Sequence, residues 1–120
     1  MISHVKFVSV PTLDQDRALR FWTEQVGFRV LTDQPFNEKQ RWIELRVGSS
    51  DTRFVLFMFD EGMKPGMQFN GALACDNIDQ THQELTARGV EFVAPPTKQP
   101  WGSFAIFKDP DGNTFVLSTK

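Results

Sequence analysis

Few residues in this 120-residue chain have side chains suited to chemistry. There are two histidines, His4 and His82, one cysteine, Cys75, and an aspartate pair, Asp109 and Asp111, in the run KDPDGNTF. Glu44 is the one carboxylate set deep in a strand-like segment, RWIELRV. A metal or zinc-hydrolase site needs ligands at short, fixed spacing, and neither HExxH, nor histidines paired at ligand spacing, nor CxxC occurs. No GxSxG or P-loop pattern is present either. Cys75, between Ala74 and Asp76 at the end of an apolar run, reads as a small buried residue and not as a nucleophile. Asp109 and Asp111 read as turn residues. An aspartate can bond its own backbone two residues on, Pro110 sets φ, and Gly112 supplies a left-handed residue before the return strand.

The elements that would carry these residues come in a repeated order. Residues 5–10 (VKFVSV) read as a strand ended by Pro11 and Thr12. A helix follows over 14–26, with Asp14 as N-cap, Ala18, Phe21, Trp22 and Val26 at helical spacing, and Gly27 as the closing glycine. Residues 28–31 then read as a strand, and 41–47 and 53–59 as a hairpin around Gly48 to Asp51. DEGMKPGMQFN is the best linker, over about 60–68, between modules 1–60 and 68–120. The second module has a strand at 71–75 and a helix from Asp79 to Arg88 closed by Gly89. A strand at 90–93 ends at Pro95-Pro96, and a hairpin joins 103–107 to 114–118. Both halves read β-α-β-β-β. LDQ at 13–15 recurs as IDQ 65 positions on, and Gly27-Phe28 as Gly89-Val90 62 positions on, so the second helix is expected to be three residues shorter.

Composition limits the function classes. Hydrophobic residues make up 40% and charged ones 23%, as in soluble globular domains. The net charge is −2 without a basic block, which argues against nucleic acid. No apolar run is long enough to span a bilayer, and MISHVKFVSV lacks the plan of a signal peptide. One cysteine suits a reducing compartment, so a cytoplasmic location is expected. Twelve Phe and three Trp with no Tyr supply aromatic bulk for a core or an apolar pocket wall.

The DPDGN of the last hairpin, the helix DQDRALRFWTEQVGF and the helix IDQTHQELTARGVEF together resemble the vicinal oxygen chelate superfamily. This group includes glyoxalase I, extradiol dioxygenases, fosfomycin resistance enzymes and bleomycin-binding proteins. The resemblance runs from Val5 to Ser118. It implies an α+β fold of two tandem βαβββ units, whose curved mixed sheets form a cleft, and a homodimer. It also implies four metal-ligand positions on strands. These fall at Phe7, near Leu56, near Asn70 and at Val116, three residues after Asn113. Phe7, Leu56 and Val116 have no lone pair to offer, and Asn70 has only an amide oxygen. His4, at an odd offset from Phe7, would face the other side of its strand. His82, four residues after Ile78 and beside Leu85, reads as packed at the edge of the helix–sheet interface. Glu44 could act as a ligand or base, but reads better as a solvated or Arg-paired strand residue. No metal and no cofactor is therefore expected.

Strand alternation gives an expected lining for the cleft. Phe7 and Ser9, Phe54, Leu56 and Met58, Asn70, and Thr114 and Val116 face it, with Ala72, Ala74 and Ser118 beside them. Trp42 and Trp101 stand at its rim, and Val55 and Phe57 pack under the helix. Such a wall suits a flat or hydrophobic organic molecule. The expected function is therefore metal-free binding and sequestration of a small aromatic compound, after the manner of the bleomycin-resistance proteins. Two competing readings are a metal-dependent lyase or dioxygenase with displaced ligands and a homodimer whose cleft has no dedicated ligand.

Overall fold

Asp14 opens the first helix. Its backbone is extended, and its carboxylate accepts the Arg17 N–H at 3.0 Å, the geometry of an N-cap. The helix, α1, runs over Gln15–Arg20 and continues as a π-helix over Phe21–Val26. It ends at Gly27, whose φ of 96° is left-handed and favours glycine. In a computed structural model that describes residues 1–119, the chain divides into two units, Met1–Pro65 and Gly66–Lys120.

The first unit holds strands β1 (Phe7–Pro11), β2 (Arg29–Pro35), β3 (Arg41–Arg46) and β4 (Arg53–Phe57). They lie in the order β1-β4-β3-β2, with β1 and β4 parallel and the other pairs antiparallel. The core lies between this sheet and α1. Trp22, fully buried, stands edge-on to Phe21 and Phe54 at centroid distances of 5.1 and 5.2 Å and stacks on Phe28 at 5.3 Å. Val10, Ala18, Ile43, Leu45 and Leu56 fill the rest. Two glutamines close the backbone groups at the ends of β3 and β4. Gln15 Nε2 donates to the Arg41 and Leu56 carbonyls at 2.8 and 2.9 Å, and its Oε1 accepts the Arg41 N–H. Gln40 accepts the Met58 N–H and donates to the Met58 carbonyl. A buried amide with both ends satisfied fixes the strand ends at no desolvation loss.

The second unit repeats the plan with β5 (Gln68–Ala74), α2 (Ile78–Ala87), β6 (Glu91–Gln99), β7 (Gly102–Lys108) and β8 (Thr114–Ser118). The order is β5-β8-β7-β6, again with one parallel pair, β5 and β8. Phe107 and Phe115 stack at 5.4 Å beneath α2, and the His82 ring packs edge-on to Phe92 at 4.5 Å. His82 thus lies on the helix side, as its spacing from Ile78 predicts.

Three expectations need correction. The cap of α2 is Asn77, which accepts the Gln80 N–H at 3.1 Å. The equivalent of Asp14 is therefore Asn77, and the LDQ and IDQ triplets are two positions out of structural step. From cap to closing glycine the helices span 14 to 27 and 77 to 89, so the second is one residue shorter, not three. The extra residue sits where the Gly27 N–H reaches the Trp22 carbonyl, five residues back, in the wide turn of the π-helix. Finally, β6 does not stop at Pro95-Pro96. It is an edge strand with register shifts between Phe92 and Ala94 and between Ala94 and Thr97, where prolines lacking an N–H cost no ladder bond.

Candidate functional site

Register decides which side chains leave the core in the first unit. Ser9 pairs with Val55 and Pro11 with Phe57, while Val8 pairs with Phe54 and Val10 with Leu56. Val10 is buried on the helix side, so Phe54 and Leu56 lie there too. Ring contacts agree, since Phe54 meets Trp22 and Phe28, while Phe57 meets Phe36, Trp42 and Phe59. The expected phase of β4 is therefore inverted. Phe54 and Leu56 are core residues, and Val55 and Phe57 face outward. Met58 follows the strand, half-buried, with its backbone held by Gln40.

The outward face of this sheet carries an aromatic array that alternation only partly foresees. Trp42 packs edge-on to Phe7 at 5.5 Å and against Phe36 and Phe57, each at 5.7 Å. Phe57 in turn meets Phe36 at 5.3 Å and Phe59 at 5.0 Å. Phe36 is 54% exposed, and Phe7 and Phe59 are more than a third exposed, so this array is reachable from water. Ser9 lies beside it, half-buried. Glu44, two residues on from Trp42 in β3, shares its outward face and pairs in register with Val55. Its carboxylate is 11% exposed and sits 3.4 Å from the Arg53 guanidinium, which satisfies the Arg-paired reading. Phe36, Phe57 and Phe59 were not among the expected lining residues.

In the second unit the outward row of β8 is Thr114, Val116 and Ser118, all half-buried, as alternation predicts. Ala72 and Ala74 of β5 pair with Val116 and Ser118 on that same side. Asn70 is exposed within the irregular stretch between Gln68 and Ala72. Trp101, at the tip of the β6–β7 hairpin, is 65% exposed and stacks on Phe104 at 5.8 Å. Asp109 belongs to the hairpin itself. It accepts the Asp111 and Asn113 N–H groups and the Asn113 amide, while Asn113 Oδ1 accepts the Gly66 and Met67 N–H groups. Burial lifts its carboxyl to about 6 against these bonds. Cys75 is half-buried, not fully so, and burial pushes its thiol pKa up, the opposite of an activated nucleophile.

The repeat also corrects one metal position. Val55 on β4 corresponds to Val116 on β8, each the outward residue of an FVL triplet running parallel to the first strand of its unit. The four strand positions are then Phe7, Val55, Asn70 and Val116. Three are hydrocarbon, and one amide oxygen is too weak a donor to hold a divalent ion alone, so these residues do not fit the metal that the resemblance implies. Among the described residues no three His, Cys, Asp or Glu side chains gather into a metal-holding group. Nor does any helix have the length and apolarity to cross a membrane.

Two mixed four-stranded sheets of the same strand order, each with one helix, define a glyoxalase-like α+β protein. The chain belongs to the Glyoxalase/Bleomycin resistance protein/Dioxygenase superfamily, whose model matches residues 2–117. The crystal structure of TnmS3, an antibiotic-binding protein from Streptomyces sp. CB03234, is 40% identical, covers 98% of this chain and 96% of that one, and superposes with a TM-score of 0.88. A superfamily member from Sphaerobacter thermophilus DSM 20745 is 31% identical, covering 99% and 98% of the two chains, with a TM-score of 0.91. The protein YetH of Bacillus subtilis (strain 168) is 36% identical over 122 residues, 98% of each chain.

Proposed function

We propose that this protein binds a small, flat, hydrophobic or aromatic organic molecule and holds it out of solution, as in antibiotic or toxic-compound sequestration. The observation that carries this reading is the water-accessible array of Phe7, Phe36, Trp42, Phe57 and Phe59 on the outward face of the first sheet. Exposed aromatic faces bury a planar ligand with large area and little entropy loss, and edge-to-face pairs add a preference for geometry. TnmS3, a relative at 40% identity, is an antibiotic-binding protein, which supports the same ligand class. The hydrocarbon at three of the four strand positions favours binding without a metal over a lyase or dioxygenase reaction. In this reading the protein works as a cytoplasmic homodimer. β1 and β2, and β5 and β6, are the edge strands of their sheets, and an edge strand can give a second copy backbone to pair with. The test is a thermal-shift screen of small aromatics against the native protein and Trp42→Ala, since a ligand that binds only the folded state raises its stability. Compounds that raise the melting temperature of the native protein and not of the variant support the reading. A screen without such a compound contradicts it.

A further inference from the structure

Three arginines from three neighbouring strands stand in one row on the outward face of the first sheet. Arg29 of β2 pairs in register with Arg46 of β3, Arg46 pairs with Arg53 of β4, and Phe7 of β1 pairs with Arg53 and ends the row. Cross-strand partners point to the same side with Cβ atoms about 4.5–5.5 Å apart, and like charges so placed destabilise a sheet. The net charge of the chain is −2, so this row does not follow from a basic composition. Arg53 has Glu44 at 3.4 Å. The guanidinium groups of Arg29 and Arg46 form no hydrogen bond or ion pair with any described residue. Arg41, which faces the helix side, shows the contrast. It is held by Asp33 at 2.8 Å and Asp16 at 2.9 Å, and those carboxylates raise its pKa. The arginine that ties the helix to the sheet is supplied with two carboxylates, whereas two of the three in the outward row have none.

We propose that this row is an anion-binding site, and that Arg29 and Arg46 grip the carboxylate of an aromatic acid whose ring lies on Phe7 and Trp42. Two adjacent guanidinium forks match the oxygens of one carboxylate, and their mutual repulsion is relieved when it arrives. The inference rests on the aromatic face being the ligand face and adds the charge of the ligand to that reading.

The experiment is isothermal titration of two probes of the same shape, 2-naphthoate and the uncharged 2-naphthamide, into the native protein, Trp42→Ala and the double variant Arg29→Gln/Arg46→Gln. Both arginines are exposed, and circular dichroism melting verifies that the double variant stays folded. The expected result is that naphthoate binds on the order of tenfold tighter than naphthamide. This preference should vanish in the double variant and shrink as salt is raised, while naphthamide binds the native protein and the double variant alike. Equal affinity for the two probes, or a naphthoate preference that survives in the double variant, overturns the anion site. If naphthamide binding still depends on Trp42 in that case, the aromatic reading stands. Failure of both probes to bind overturns both.

Discussion

Phe7 and Trp42 stand on strands that β4 separates, yet their rings meet edge to face with centroids 5.5 Å apart. Between them β4 sends out Val55, which has no exposed surface although it faces away from the helix. The two rings therefore close over the strand, so that the outward face of the first sheet presents aromatic edges and faces to an incoming molecule.

The facing of β4 has a direct consequence for mutation. Leu56→Glu places a carboxylate in the core under α1, where burial without partners costs several kcal/mol, and the protein should fail to fold. Val116→Glu points outward from β8 and should give a folded protein with a melting temperature near the native one. Circular dichroism melts of the two variants check this, and a folded Leu56→Glu would show the phase to be wrong.

How much of this was legible depended on the pattern of each segment. In β8, the polar ends of TFVLS, Thr114 and Ser118, fall on one face with Val116 between them, and that is enough to set its facing. RFVLFMF on β4 is apolar on both faces, so periodicity alone cannot set its phase. The FVL triplet shared by Phe54-Val55-Leu56 and Phe115-Val116-Leu117 does carry the answer once the two units are matched by strand position. The helices were readable from Asp14, Gly27 and Gly89, but the π-turn was not, since no residue type demands one. Phe36 joins the aromatic array through the chain reversal between β2 and β3, where the Phe36 N–H reaches the Gln40 carbonyl at 3.1 Å, and loop geometry of that kind leaves little trace in sequence. The arginine row depends on registers across three strands, which no single segment contains.

Trp22 is the keystone of the first core, in ring contact with Phe21, Phe28 and Phe54. Trp22→Ala should cost about 3–5 kcal/mol of stability, the usual range for emptying a buried aromatic site. Urea denaturation measures it, and a loss under about 1 kcal/mol would mean that the core closes around the gap, as well-packed cores do not.

Asp109 gives the fold a pH dependence of defined sign. Burial lifts its carboxyl from the ordinary 3.8 to about 6 in the folded state. Between those values the folded protein holds the proton more tightly than the unfolded chain, so this group stabilises below 3.8 and loses that contribution as pH rises through about 6. Other carboxylates have their own slopes, and the difference between native protein and Asp109→Asn isolates this one. The stability advantage of the native protein over the variant should shrink as pH rises across that window. A constant or growing advantage would contradict the assignment.

Protein purified without chelators should hold far less than one divalent metal per chain, because Phe7, Val55 and Val116 offer no donor atoms. Elemental analysis checks this. One Ni, Zn, Mn or Fe per chain, lost on His4→Ala or Glu44→Gln, would show that displaced ligands had been overlooked.

The central claim is that the aromatic array of the first sheet is where the ligand sits. Its most direct measurement is a fluorescence or calorimetric titration of a thermal-shift hit into native protein and Trp42→Ala, with Trp101→Ala as a control on an exposed tryptophan outside the array. The account predicts saturable binding to the native protein, an affinity reduced on the order of tenfold or more in Trp42→Ala, where about 1–3 kcal/mol of ring stacking is lost, and little change in Trp101→Ala. Unchanged affinity in a folded Trp42→Ala, or loss only in Trp101→Ala, would contradict it.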